Sequence, residues 1–147
     1  MTEIFSLTAN KLVEKLRDGQ ISSVEVCNQY IERIEKFEKD VKAWEFFDKK
    51  KLLEKAEEAD EYRKSGKPLG PLHGLPIAIK DIIGTLEMPT ECGTPIRKKM
   101  PSSQDSEVIN LLKIAGAIVM GKTVTTELAY FHPGKTTNPH DHSRTPG

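Results

Sequence analysis

The residue in this sequence that is best placed to do chemistry is Lys80, which closes the short apolar run Ile77-Ala78-Ile79 and precedes Asp81. Lysines at strand ends commonly lay their stems on apolar neighbours and keep the ammonium in water. Burial favours the uncharged amine, however, and an uncharged amine is a competent general base. We predict a buried Lys80 that acts as a base. Because side chains alternate along a strand, Asp81 is expected to point away from it.

Two other sets of side chains could do chemistry, and neither is predicted to. Cys27 and Cys92 are the only cysteines, which excludes a disulfide framework and a four-cysteine zinc site. Cys27 has the spacing of a buried helical residue, whereas Cys92 follows a turn-rich segment and has no identifiable base beside it. The run from His140 to His142 contains zinc-binding residue types, but three adjacent ligands on one loop rarely form a preorganised site. We therefore predict no metal site.

The composition limits the classes of partner. The 147 residues carry 22 basic and 22 acidic side chains, so the formal net charge is zero, and nothing in it indicates nucleic acid or an anionic membrane. No apolar run reaches membrane-spanning length, and the first five residues lack the features of a signal peptide. Neither a P-loop nor a G-x-G-x-x-G motif is present, so no nucleotide cofactor is predicted. These observations predict a cytoplasmic chain of about one domain that needs no cofactor.

The first 66 residues are predicted to form a helical arm. Ser6 or Thr8 is expected to cap a first helix, Ser22 and Glu25 form a capping box for a second, and a third is predicted over residues 48–64. Apolar residues recur at helical spacing along the first two. The aromatic residues of the segment 44–47, between the second and third helices, are interpreted as packing anchors and not as a base-stacking platform.

Residues 67–147 are predicted to form part of an α/β domain. Glycine and proline dominate residues 66–76, and Ile77-Ala78-Ile79 then reads as a strand that is buried on both faces. A long loop covers residues 84–101. Asp105 or Ser103 is expected to cap a helix that ends at Gly116, with an apolar face formed by Val108, Leu111, Leu112 and Ala115.

A second strand is predicted over residues 117–120, ending at Gly121. Strand, helix and strand in this order form a βαβ unit with parallel strands. Lys80 and Lys122 are therefore expected near the same carboxyl edge of a sheet, where α/β folds place their sites. Residues 126–131 carry a weaker helical pattern, and the segment 132–147 is predicted to be loop throughout.

Several motifs occur in a fixed order along the chain. The first is Gly70-Pro71-Leu72-His73-Gly74-Leu75-Pro76-Ile77-Ala78-Ile79-Lys80-Asp81. It is followed by Pro89-Thr90, Gly93-Thr94, Asp105 at a helix start, Ala115-Gly116-Ala117-Ile118-Val119-Met120-Gly121-Lys122-Thr123, Glu127-Leu128-Ala129 and Asn138-Pro139. In this order the motifs resemble the amidase signature family, and the region before residue 66 resembles the family's N-terminal region. The resemblance implies an incomplete mixed α/β sheet preceded by a helical arm.

The resemblance also implies an activity. Enzymes of the family hydrolyse carboxylic amide C–N bonds of small molecules with a nucleophilic serine, a second serine in a cis peptide, and a lysine, and they need no cofactor. Only the lysine maps onto this sequence, at Lys80. The family's serines lie in a Gly/Ser-rich run directly after a motif like Thr145-Pro146-Gly147, at which this sequence stops. Ser143 precedes that motif and is not assigned as the nucleophile.

Two alternatives stay open at this point. The chain could belong to the amidase-type subunit of a tRNA-dependent amidotransferase, which uses the same lysine and serines as the resemblance implies. It could also be a non-enzymatic interaction module in which Lys80 only closes a strand. The sequence does not determine the substrate or whether the protein forms a homo-oligomer. The 147 residues alone are predicted to be inactive, because they lack the implied serines.

Overall fold

A computed structural model describes residues 4–146 and shows a mixed α/β fold. In chain order the elements are α1 (Ala9–Arg17), α2 (Ser23–Val41), β1 (Trp44–Phe47), α3 (Lys49–Lys64), β2 (Pro76–Lys80), α4 (Glu107–Ile114) and β3 (Ile118–Thr123). Short 3-10 helices occupy Ile4–Ser6, Pro95–Arg97 and Glu127–Ala129. Across residues 4–146, no helix has both the length and the apolar character that a membrane crossing requires.

The three strands form one sheet in the order β1-β3-β2. The pair β2–β3 is flanked by hydrogen bonds from Ile118 N–H to Leu75 O, 2.9 Å, and from Asp81 N–H to Thr123 O, 2.9 Å. Both strands advance in the same direction between these bonds, as parallel strands do. The predicted βαβ unit is therefore present, with α4 between its strands. Strand β1 pairs with β3 in the antiparallel direction and makes the sheet mixed.

The predicted caps of the first two helices are present, and α3 has a cap that was not predicted. Thr8 caps α1 by accepting the Lys11 N–H, and Asp48 caps α3 by accepting the Lys51 N–H. The capping box before α2 is complete: Ser22 N–H donates to the Glu25 carboxylate at 2.7 Å, and Glu25 N–H donates to Ser22 Oγ at 3.0 Å. Each cap satisfies N–H groups that have no partner within the helix.

The chain divides into two compact units. The first takes in the described residues up to Glu32 together with Asp48–Ile77 and Asn110–Met120. Its buried core is formed by Ile4, Leu12, Val13, Leu16, Val26 and Leu75. In the same unit the buried carboxylate of Asp60, on α3, accepts the N–H groups of Ser23 and Val24 at 2.7 and 3.1 Å. An acceptor from α3 therefore satisfies the first turn of α2, where negative charge is favoured.

The second unit consists of Arg33–Phe47, Ala78–Ile109 and the residues from Gly121 onwards. It contains β1, the end of β2, the long loop after β2, the end of β3 and the C-terminal loop. The predicted boundary between domains at residue 66 stays a prediction, because compact units within a chain are not equivalent to the domains of a whole protein.

Three predicted elements differ from the structure. Residues 44–47 form strand β1. Strand β3 continues through Gly121 to Thr123. Helix α4 buries Ile109, whereas Val108 and Leu111 of the predicted apolar face are 47% and 56% exposed. A helix was predicted over residues 126–131, and one turn of 3-10 helix is present there, at Glu127–Ala129. Residues 132–146 contain no helix and only one isolated β-bridge, so this segment is loop, as predicted.

Candidate active site

Lys80 is the last residue of β2, and its side chain is exposed. The sequence predicted a buried lysine on a strand with two buried faces, and this differs from the structure. Ile79 is 4% exposed, whereas Ala78, which shares a strand face with Lys80, is exposed. One face of β2 is therefore covered, and the face that carries Lys80 is open among the residues that the structure describes. The assignment of Lys80 as a base stays a prediction.

Lys80 lines a cavity of about 140 Å³ in the second unit. The cavity combines one ammonium with four threonine residues, which makes its lining suited to polar groups. The other residues come from the segment after β3 and from the C-terminal loop. The lining residues are Lys80, Val124, Thr125, Thr126, Pro133, Gly134, Thr136, Thr145 and Pro146.

Thr125 forms a closely packed part of the cavity wall. A Cβ at Gly134 would lie 2.9 Å from the Thr125 carbonyl oxygen, and a Cβ at Gly93 would lie at the same distance from it. Glycine at both positions therefore allows the backbone to approach Thr125 closely. The Thr125 hydroxyl is buried and has no hydrogen-bond partner among residues 4–146, an uncommon state for a buried hydroxyl. The wall thus has hydrogen-bonding capacity that these residues do not use.

A buried ion pair lies at the carboxyl ends of the two parallel strands, between Asp81, directly after β2, and Lys122, the last residue but one of β3. Lys122 Nζ is 3.2 Å from Asp81 Oδ1, and the two side chains are 0% and 1% exposed. Asp81 is buried whereas the adjacent Lys80 is exposed, so the two side chains point to opposite faces, as predicted, although Lys80 itself was expected to be buried. Burial raises the pKa of Asp81, and the positive charge of Lys122 opposes part of that shift. Burial likewise lowers the pKa of Lys122, with Asp81 opposing.

The structure gives the other predicted residues no shared site. Cys27 is buried, and burial together with the charge of Asp60 raises its pKa to about 12. Cys92 is half-buried.

Asp141 accepts hydrogen bonds from Ser143 N–H and Oγ and from Arg144 Nε, which hold its pKa below the usual range. Within residues 4–146, no three His, Cys, Asp or Glu side chains are placed to hold a metal ion.

Lys122 lies near the carboxyl edge of the sheet, as the sequence predicts, but its pairing with Asp81 was not predicted. The available signal was that each residue lies close to the carboxyl end of one of two parallel strands. The threonines of the cavity were also missed, because they come from loops whose path has no periodic pattern in the sequence.

Comparisons with known proteins agree with the fold and the motif order. The profile of the Amidase family matches residues 25–147. The A subunit of the glutamyl-tRNA(Gln) amidotransferase from Salinispora tropica is 36% identical over the whole chain and 31% of its own length. That of Rhodopirellula baltica is 37% identical over 95% of the chain and 29% of its own length. The chain thus spans about a third of the length of these relatives.

Solved structures of amide-hydrolysing enzymes superpose on the fold of this chain. The peptide amidase from Stenotrophomonas maltophilia superposes with a TM-score of 0.87 at 28% identity, over 96% of this chain and 31% of that one. A fatty acid amide hydrolase superposes with a TM-score of 0.85 at 25% identity, over 97% of this chain and 27% of that one.

Proposed function

Because the chain belongs to the Amidase family, we propose that it supplies the general base, Lys80, of an enzyme that hydrolyses carboxylic amides. The observation that carries the proposal is that Lys80 lines one cavity together with Thr145 and Pro146. In the family, the serines follow a motif like Thr145-Pro146-Gly147. A continuation of that kind would begin beside the lysine that is proposed to activate it.

The exposure of Lys80 is compatible with this proposal. A lysine has to lose solvent before its uncharged form is favoured near neutral pH. Since the chain spans 31% of a matched relative, the segments that relatives have in addition are candidates to cover the open face of β2. The unused hydroxyl of Thr125 would contribute a hydrogen bond to such a segment.

The proposed reaction follows the two-serine scheme that the family resemblance implies. Lys80 accepts a proton from the bridging serine as that serine takes one from the nucleophilic serine, whose oxygen then attacks the amide carbonyl. The proton returns by the same route to the leaving amine, and water later hydrolyses the acyl-enzyme. Backbone N–H groups of a glycine-rich segment would stabilise the oxyanion.

The 147-residue chain on its own is expected to be inactive. Loss of the nucleophile of a serine hydrolase lowers turnover on the order of a millionfold. The 147 residues contain no Gly/Ser-rich run of the kind that the family resemblance implies. A direct assay of the purified chain measures this, and amide hydrolysis that depends on Lys80 would contradict it.

Amide hydrolysis by the protein expressed from its complete reading frame tests the proposal. Ammonia release is measured from a panel of primary amides that includes peptide amides, glutamine and aliphatic carboxamides. We expect Lys80→Ala to lower kcat/KM by about 10²- to 10⁴-fold, the usual contribution of a general base. Lys50→Ala, which removes a lysine from the exposed pair with Glu54, should leave the rate unchanged. Equal rates in the wild type and Lys80→Ala would contradict the proposed role.

A second candidate is the role of an amidotransferase subunit, because the curated relatives with 36–37% identity are named as the A subunit of glutamyl-tRNA(Gln) amidotransferase. In that case the ammonia released would be transferred to an acyl-tRNA within a complex. Affinity purification of the tagged protein from its native cells discriminates the two candidates. Stoichiometric partner proteins and tRNA-dependent amidation would favour the amidotransferase, whereas hydrolysis by the purified protein alone would favour the amidase.

A further inference from the structure

The ion pair between Asp81 and Lys122 has no role in the reaction proposed above, yet both side chains are almost completely buried. Buried ion pairs contribute little net stability, because the loss of hydration offsets the attraction between the charges. Burial raises the pKa of Asp81 and lowers that of Lys122, so both shifts favour the uncharged forms. Keeping both charges in the interior therefore costs free energy. A function other than stabilisation therefore has to be sought in what the two residues hold.

Lys122 binds the loop that follows β2 at several points. Its ammonium donates to Ile83 O at 2.9 Å, to Pro89 O at 3.2 Å and to Thr90 Oγ1 at 2.8 Å. Thr85 Oγ1 lies at 3.5 Å. A single charged group on β3 thus fixes both the beginning and the end of the segment 83–90, through hydrogen bonds that its charge strengthens.

The contacts of Lys122 also hold the turn that begins at Lys80. The Ile83 N–H donates to Lys80 O at 3.0 Å and closes a turn at the end of β2. The carbonyl of the same Ile83 accepts the ammonium of Lys122. The turn that begins at Lys80 is therefore held from inside the second unit by Lys122.

Asp81 is fixed through both its backbone and its side chain. Its N–H donates to Thr123 O at 2.9 Å, and its carbonyl accepts the Cys92 N–H at 3.0 Å. Its carboxylate accepts the Glu91 N–H at 3.1 Å in addition to binding Lys122. The residue next to Lys80 is consequently bound to β3 and to the far end of the loop.

We propose that the Asp81–Lys122 pair is a positioning element that fixes the turn at which Lys80 leaves β2 and so sets the direction of its amine into the cavity. The inference rests on the proposed function of Lys80. Neither member of the pair touches the substrate in the proposed reaction. A displacement of a catalytic group by about 1 Å can cost on the order of 10²-fold in rate, so a device that fixes the backbone at Lys80 has a measurable consequence.

The test compares Lys122→Met with the wild type in the protein expressed from its complete reading frame. We expect kcat to fall on the order of 10²-fold while KM changes by less than about threefold, because binding survives a misplaced base. Backbone amide exchange at Ile83 and Cys92 should become faster. Lys50→Met, which removes an exposed lysine from α3, is the matched control and should change neither quantity. Unchanged kcat despite faster exchange at these amides would overturn the positioning role.

If Lys122→Met does not fold, two less disruptive variants at Thr90 test the positioning role. Thr90→Val removes one acceptor of the ammonium but retains the ion pair, whereas Thr90→Ser keeps a hydroxyl at the same position. We expect Val to lower kcat about tenfold, less than Lys122→Met because the ion pair and the two carbonyl acceptors of the ammonium remain, and Ser to retain most of the rate. Equal kcat values in the two variants would overturn the proposal.

The outcomes separate this proposal from the proposed function. No amide hydrolysis by the wild type overturns both. Hydrolysis that depends on Lys80 but is indifferent to Lys122→Met and Thr90→Val overturns the positioning role alone. Dependence on all three positions, with faster exchange at Ile83 in Lys122→Met, supports both.

Discussion

Three charged residues near the carboxyl ends of β2 and β3 have different environments in the structure. Lys80 is exposed beside a cavity, whereas Asp81 and Lys122 are buried against each other. Strand alternation explains why the first two differ, since adjacent side chains point to opposite faces. Nothing in the residue types distinguishes Lys80 from Lys122, because each comes after an apolar run near the end of its strand. The loop contacts of Lys122 make the distinction, and these depend on the folded path of residues 83–90.

Cys27 allows a prediction at the level of a single residue. Its pKa is raised from 9.0 to about 12, chiefly by burial. The reactive thiolate is therefore roughly 10³-fold scarcer than in the unfolded chain at pH 8. In a Cys92→Ser variant of the chain, iodoacetamide should label Cys27 slowly in buffer and rapidly in urea. Labelling at equal rates in the two conditions would contradict the burial of this thiol.

The same shift has a pH dependence of definite sign. Because the folded-state pKa of Cys27 is raised above the unfolded value, its contribution to stability is fully present below about pH 9 and is lost as the pH rises through about 12. The contribution cannot explain any loss of stability in acid.

At the scale of elements, Gly121 explains why β3 is longer than predicted. This glycine was predicted to end the strand, but it lies inside β3 opposite Phe47 of β1. A Cβ at Gly121 would lie 2.7 Å from the Phe46 carbonyl oxygen and 2.8 Å from the Trp44 ring. Glycine is thus required here by the close approach of another backbone and an aromatic ring, a known reason for glycine inside a strand.

Gly121→Ala should therefore weaken the attachment of β1 to β3. We expect the free energy of unfolding to fall by roughly 1–3 kcal/mol, the usual cost of overpacking. Urea denaturation followed by fluorescence measures it, since Trp44 is the only tryptophan in the sequence. Gly84→Ala is the control, because a Cβ there meets no atom closer than 3.4 Å. An equal effect of the two substitutions would show that the contact with β1 is not the cause.

The elements that local sequence determines were predicted best. The caps of the first two helices were predicted, as Ser6 or Thr8 for α1 and as the Ser22–Glu25 capping box for α2, because a cap acts within three residues of itself. Strand β1 was missed, since four residues without alternation indicate a strand only when a partner is known. The face of α4 was misassigned because its sequence is apolar around most of its circumference, and only tertiary packing selects Ile109 for burial.

Only part of the candidate site could be predicted from the sequence. Lys80 and Lys122 were placed at one edge by the βαβ rule, which is independent of side-chain detail. The cavity wall, with Thr125, Thr126 and Thr136, depends on loops that sequence patterns do not describe.

At the scale of the whole molecule, the chain exposes large apolar side chains. Ile96, Ile114, Tyr130 and Phe131 are 88%, 78%, 73% and 82% exposed. A chain that spans about a third of its relatives' length would present surfaces that those relatives can cover with their additional segments. Exposed apolar groups of this size favour association in water.

The isolated 147-residue chain is therefore expected to associate. Light scattering after size exclusion should give a mass that rises with concentration, and Tyr130→Ser with Phe131→Ser should reduce the association. Glu57→Ser, at an exposed position of α3, controls for the substitution itself. A monomer of 16.5 kDa with one sharp melting transition would contradict the expectation.

The proposal that Lys80 activates a serine can be measured without knowing the substrate. A fluorophosphonate probe reacts covalently with serines that a neighbouring base has activated. In the protein expressed from its complete reading frame, we predict labelling of one serine at a rate that falls by about 10²- to 10⁴-fold in Lys80→Ala. Labelling that is absent from the wild type, or that proceeds at the same rate in both proteins, would contradict the assignment of Lys80 as the base.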